Sequence, residues 1–139
     1  VLQAGPLYYN RKMPYPTEDI ERYRDYHRLY GYENAYCDID KMDIEFLRKY
    51  LEPAKRFIEK HPDKILWCGE FGTIRHCNIK WRENWMRDMI TILKEWDIPY
   101  CVWNYLSTPN DGNRFSLVDD DNRIILSEEL GKIICGEIE

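Results

Sequence analysis

Two short apolar runs limit the fold of this chain more than any other feature. They are Ile65-Leu-Trp-Cys68, inside the stretch from Lys64 to Phe71, and the run from Pro99 to Tyr105. Neither shows the polar alternation of a half-solvated strand. A strand with both faces covered has this character, and such strands are usually parallel. Each run follows a stretch with helical spacing. From Asp40 to His61 the apolar residues fall at Leu47, Tyr50, Leu51, Ala54, Phe57 and Ile58, one stripe on one helix face. Pro53 interrupts the stripe without shifting its phase, which predicts a kinked helix, or two abutting helices with Pro53 in a first turn. Pro62 ends the segment. Asn78 can cap a second helix reaching Trp96, with Trp85, Met86, Met89, Ile90 and Leu93 on one side. Helix, strand, helix, strand is the alternation of a parallel α/β fold.

The flanks are less regular. Residues 1–16 hold Gly5, Pro6, Pro14 and Pro16 among aromatics and read as a long ordered loop. Thr17 can cap a polar helix running to about Tyr30, stopped by Gly31. After the second apolar run comes a turn-rich loop, Ser107 to Asn113. Phe115–Val118 and Arg123–Leu126 flank the turn Asp119-Asp-Asp-Asn122, the pattern of a small hairpin. That acidic turn lacks the glycine and the spaced ligands of an EF-hand and reads as solvated. Ser127 caps a last helix to about Cys135.

Composition excludes several partners. A net charge of -5 does not suit a phosphate backbone, so nucleic acid is not expected. No apolar stretch approaches a membrane span. Five cysteines (Cys37, Cys68, Cys77, Cys101, Cys135) show no CxxC spacing and read as mostly free, buried thiols. His27, His61 and His76 are far apart, and no metal site or cofactor is expected. The start, Val-Leu-Gln-Ala-Gly, is neither a signal peptide nor a start methionine, so processing or a start within a longer protein is expected. Eleven Tyr, five Trp and four Phe give an aromatic skew that serves either packing or the stacking of sugar rings.

The chemistry-bearing segment is Trp67-Cys-Gly-Glu-Phe-Gly-Thr-Ile74. It sets one carboxylate, Glu70, between two glycines at the end of an apolar run. Glu70 is either a solvated turn residue or an acid on a backbone bent to admit a ligand closely. The second run, Pro99 to Tyr105, presents Trp103 in the same way. Catalytic faces of parallel α/β barrels lie at such strand ends.

Lys64-Ile-Leu-Trp-Cys-Gly-Glu-Phe-Gly72 resembles the seventh-strand signature of glycoside hydrolase family 5, the cellulase and mannanase family of (β/α)8 barrels. The helix with Arg82 and Trp85 is similar to the family's next helix. Cys101-Val-Trp-Asn-Tyr105 resembles the eighth strand, and Phe115-Ser-Leu-Val-Asp119 the segment after it. The Tyr-Asn-Arg-Lys-Met-Pro-Tyr-Pro loop is similar to the stretch after the sixth strand. The likeness runs from about Tyr8 onward. The Gly-Glu-Phe-Gly motif with a Trp strand 33 positions on (from 70 to 103) is more specific than either part alone.

The resemblance implies residues 1–139 as one partial catalytic domain, the C-terminal portion of a TIM barrel with strands seven and eight. It implies Glu70 as the nucleophile of a retaining mechanism and Trp103 as the floor of the subsite where the bond breaks. Its substrate would be a β-1,4-linked glucan or a related polysaccharide, and its setting extracellular. The family's acid/base glutamate follows an asparagine on the fourth strand, and neither Asn34 nor Asn84 is followed by such a glutamate. The family's His-x-Tyr pair also falls before Val1. His76, Asn104, Asn110 and Asp111 follow the two strands and either line the cleft or are solvated surface. A retaining site needs two carboxyl groups about 5–5.5 Å apart, and a full barrel about 250 residues. The chain alone is therefore expected to be inactive. Its open strand edges call for the remaining barrel portion or a second copy of the chain. From another class, a non-catalytic binding module would use Tyr8, Tyr9 and Trp103 as stacking platforms.

Overall fold

The computed structural model describes residues 43–75, 78–108, 110 and 115–138. The N-terminal loop and first helix expected from sequence lie outside these residues, as do Cys37, Cys77, His76 and Asp111. The described elements are α1 (Ile44–Lys60), β1 (Cys68–Phe71), α2 (Ile79–Glu95), β2 (Tyr100–Val102) and α3 (Glu128–Ile134). The strands form a two-stranded parallel sheet, so the α/β alternation read from sequence is present.

Asp43 starts α1, its side chain accepting from the Glu45 and Phe46 amides at 3.0 and 3.3 Å. The helix passes through Pro53 as one element; the two-helix alternative is not what forms. Its buried stripe is shorter than the spacing predicts. Phe46 and Leu47 are buried, but Phe57 is 40% exposed and stacks on His61. The N-terminal half of α1 leans on α2, and Arg48 reaches across to Glu95, Nη2 donating to Oε1 at 2.9 Å.

α2 is the hub. Asn78 caps it by accepting from the Lys80 amide at 2.9 Å. Trp85, Met86, Met89, Ile90 and Leu93, the predicted face, are all buried, and Ile92 joins them. Full burial of each such side chain is worth about 1.5–3 kcal/mol. Both neighbouring helices pack against it, α3 through Leu130 and Ile133. The C-terminus closes with Ile98 N donating to Leu93 O at 2.8 Å and Asp97 N to Lys94 O at 3.1 Å. This reciprocal pair is the Schellman arrangement. Asp97 takes the left-handed position (φ 53) that glycine usually fills. The turn aims Pro99 and β2 back along the helix.

The strands are shorter and more open than the apolar runs suggest. Residues 65–67 precede β1, with Ile65 at 87% and Trp67 at 60% exposure. Phe71, Tyr100 and Val102 pack on the helical core; Cys101 and Trp103, which alternate with them, are exposed. The expectation of strands covered on both faces is thus corrected: one face is covered. The expected buried thiols are corrected with it. Cys68 is half-buried, Cys101 and Cys135 are exposed, and all three are free.

The hairpin forms as a single antiparallel bridge, Val118 to Ile125, with Asp119 N donating to Ile124 O at 2.8 Å. The Asp119 carboxylate accepts from the Asp121 and Asn122 amides, which hold it below the usual carboxylate range. Ser127 caps α3 by accepting from the Leu130 amide at 3.1 Å. Gly136 (φ 84) ends that helix, with Glu137 N donating to Lys132 O.

One core-facing acid is held off balance. Burial on α2 pushes Asp88 up to about 6, and the Asp43 carboxylate adds to this against Arg87 and Arg48. A folded value above the unfolded one means that the group's stabilising contribution is complete below the unfolded value, near 3.8, and is lost as pH rises through about 6. Asp88→Asn is therefore expected to raise the unfolding midpoint at pH 7–8. The gain has a ceiling of about 3 kcal/mol, which solvent screening lowers, and it vanishes below about pH 4. Thermal unfolding of the two proteins across this range measures it; an equal gap at every pH would contradict the assignment.

Candidate active site

The carboxyl ends of β1 and β2 lie side by side. Cys68 pairs with Tyr100 and Phe71 with Val102. Three steps on β1 thus face two on β2, and the extra residue falls at Gly69-Glu70. A bulge of this kind re-aims side chains and is common next to active sites. Glu70 emerges exposed, immediately before Phe71, whose ring packs inward against Trp85 and Tyr100 at 5.9 and 5.7 Å. The bulge also breaks the simple alternation between Cys68 and Glu70. Their two-residue spacing therefore does not by itself put them on one side of the sheet.

Trp103 arrives beside this acid through the backbone. Its amide donates to the Phe71 carbonyl at 2.7 Å, and its ring is 46% exposed. Gly72 explains why the strands can approach so closely. A Cβ there would collide with the Trp103 carbonyl and crowd the Phe115 ring. This is a close approach that only glycine permits. The second glycine of the motif, Gly69, has open space where its Cβ would be; it belongs to the bulge rather than to a packing contact.

Among the described residues the Glu70 carboxylate makes no ion pair, and its carbonyl accepts from Cys68 Sγ at 3.9 Å. Burial pushes the Cys68 thiol up, and the neighbouring Cys101 adds to this. An exposed carboxylate and an exposed indole on neighbouring strand ends can respectively attack, and stack on, a ring held between them.

The remaining expected site residues are distributed unevenly. Asn104 follows Trp103 across a cis peptide, and its amide is taken up by the loop: Nδ2 donates to Leu106 O at 3.3 Å and Oδ1 accepts from Ser107 Oγ at 3.1 Å. Asn110 is exposed in the following loop. His76 and Asp111 lie outside the described residues. No group of three or more metal-ligating side chains occurs among the described residues.

Several residues near the site escape a reading of spacing. Tyr105, two positions beyond Trp103, is 62% exposed. Arg82 is buried behind both strand ends, and Glu83 beside it is buried too, accepting from Lys80 Nζ at 2.7 Å and Ser127 Oγ at 2.6 Å. Burial alone would raise the Glu83 carboxyl; the Lys80 and Ser127 hydrogen bonds outweigh it and hold the group below its ordinary value. The signal was present for Arg82. It stands three, four and seven residues before Trp85, Met86 and Met89, within the apolar stripe. Beyond it, Arg75 pairs with Asp120, joining the loop after β1 to the hairpin turn.

No family model matches the chain. It is 36% identical over 129 residues to endoglucanase C of Acetivibrio thermocellus, which covers 91% of this chain and 35% of that protein. The same figures hold for endoglucanase C307 of Clostridium sp. (strain F1). The chain thus spans about a third of the length of the curated relatives it matches. Among solved structures, a hyperthermophilic endo-beta-1,4-glucanase in complex with substrate superposes with a TM-score of 0.56 at 19% identity, over 67% of this chain and 27% of that one. Thermotoga maritima Cel5A in complex with cellobiose gives 0.54 at 15% identity, over 66% and 27%. At these identities the structural likeness is one of fold. The chain is thus similar in sequence to about a third of the endoglucanase C enzymes and in fold to part of these endoglucanase structures.

Proposed function

We propose that this chain is the C-terminal part of a (β/α)8-barrel glycoside hydrolase of the family 5 kind. In this reading Glu70 is the nucleophile in retaining hydrolysis of a β-1,4-linked polysaccharide. The observation that carries it is an exposed carboxylate, with no ion pair among the described residues, and an exposed indole at the ends of two parallel strands joined by the 2.7 Å bond from Trp103 N to Phe71 O. Glu70 attacks the anomeric carbon and forms a glycosyl-enzyme, which water then hydrolyses. Trp103 carries the sugar ring. Asn104 braces the loop behind that indole, and Asn110 borders the cleft. The acid/base carboxyl comes from the rest of the domain, so these residues alone do not turn over substrate. A polymeric substrate of this class places the activity outside the cell.

The open sheet face supports the need for a covering partner. Cys101 and Trp103 are exposed on it, and Tyr105 is exposed in the loop that follows. An uncovered parallel pair with free edges associates readily. Size-exclusion with light scattering of the 139-residue chain is expected to show oligomers, or a monomer only when the remaining barrel portion is added. A stable free monomer would count against this.

In the longer enzyme, a mechanism-based fluoro-sugar inactivator is expected to label Glu70. A binding module would keep its glucan affinity and take no label. Glu70→Gln keeps the shape and removes the attacking charge, and turnover is expected to fall at least about a thousandfold. Substantial residual hydrolysis of natural substrate would refute the nucleophile. Trp103→Ala is expected to weaken glucan binding roughly two- to tenfold, on the scale of about 0.5–1.5 kcal/mol for an aromatic contact. Unchanged affinity in calorimetry would remove the platform role.

A further inference from the structure

One buried cation fastens the backs of both strand ends. Arg82, in the first turn of α2, is 2% exposed. Its Nε donates to Thr73 Oγ1 at 3.1 Å, and its Nη2 donates to the carbonyls of Ser116 at 3.2 Å and Phe115 at 3.5 Å. Thr73 follows Gly72, the glycine pressed on the Trp103 carbonyl, and is three residues from Glu70. On the other side the bonds continue. Ser116 Oγ accepts from Ser107 N at 2.9 Å, and Ser107 Oγ accepts from Phe115 N at 2.9 Å while donating to Asn104 Oδ1 at 3.1 Å. Asn104 is the residue after Trp103. One route from the guanidinium therefore ends three residues along the chain from the acid, and the other at the residue after the indole.

We propose that Arg82 is a positioning residue for the reaction assigned to Glu70: it sets the distance between the Thr73 loop and the 115–116 segment, and so aligns the carboxylate with the sugar on Trp103. The inference rests on the nucleophile reading of Glu70. Arg82 touches neither the substrate nor the acid and works through Thr73 and through the Ser116, Ser107 and Asn104 chain. A guanidinium is suited to this because its donors form a rigid planar fork that can hold two loops at once. An ammonium carries its three donors on one nitrogen at the end of a flexible stem, so it holds the two loops less rigidly.

The test uses the longer enzyme with a soluble β-1,4-glucan oligosaccharide as substrate. Titration with the fluoro-sugar inactivator counts competent sites, so that loss of folded protein does not enter kcat. A misplacement of about 1 Å at reacting atoms can cost about a hundredfold in rate. Arg82→Lys is accordingly expected to lower kcat per competent site at least about tenfold, with KM within about twofold. Thr73→Val preserves shape and removes one arm of the clamp; it is expected to give the same split at about threefold or more, and it decides the matter if Arg82→Lys does not fold. Wild-type kcat per site in Thr73→Val, or losses carried by KM alone, would overturn the proposal. Glu70→Gln is run alongside. An inactive Glu70→Gln with wild-type kcat in Arg82→Lys and Thr73→Val removes the positioning role and leaves the nucleophile. An active Glu70→Gln removes both.

Discussion

What keeps β1 and β2 in contact is the helix between them. Two parallel strands cannot be joined by a tight turn; the chain must travel back before the second strand can begin. Here α2 makes that return, and six of its eight apolar side chains are buried, with Ile79 and Trp81 partly so. The same helix receives α1 on one side and α3 on the other, so the sheet, both neighbouring helices and the loops after the strands all refer to one rod. A sheet of two short strands has little stability of its own. It persists because Phe71, Tyr100 and Val102 are laid on a packed helix.

That arrangement divides the sheet into a finished side and an unfinished one. On the finished side, ring contacts link Phe71 with Trp85 and Tyr100, and the Tyr100 hydroxyl donates to Ile134 O at 3.4 Å. On the other side stand an acid, a thiol and an indole. Polar and aromatic groups are placed here, where a globular protein of this size would ordinarily bury aliphatic residues. The far end of α1, with Phe57, and the approach to β1, with Ile65 and Trp67, are similarly uncovered among the described residues.

Much of this was legible in the residues themselves. Asn78 and Ser127 act as caps where the sequence puts them, because a short polar side chain before an amphipathic run has one obvious set of amides to satisfy. The stripe of α2 is buried as its spacing requires, and the acidic turn closes a hairpin. Other features depend on partners that spacing does not reveal. The length of β1 is set by where Tyr100 and Val102 can pair with it, so Ile65 and Trp67 read as strand and are not. The bulge at Gly69-Glu70 arises only when two strands are counted against each other. Phe57 completes the α1 stripe in phase, yet nothing among the described residues covers it. At the site, the motif pointed to Glu70 and Trp103 together. The clamp behind them was hidden, because an arginine on a helix is read as surface even when its phase places it with Met86 and Met89.

The contact between Gly72 and the Trp103 carbonyl has a wider meaning. The backbones that carry Glu70 and Trp103 meet here main chain to main chain. Rotamers in the surrounding loops can therefore change without altering that contact. Strand ends joined in this way can carry different side chains on their open face while the two backbones keep a constant separation.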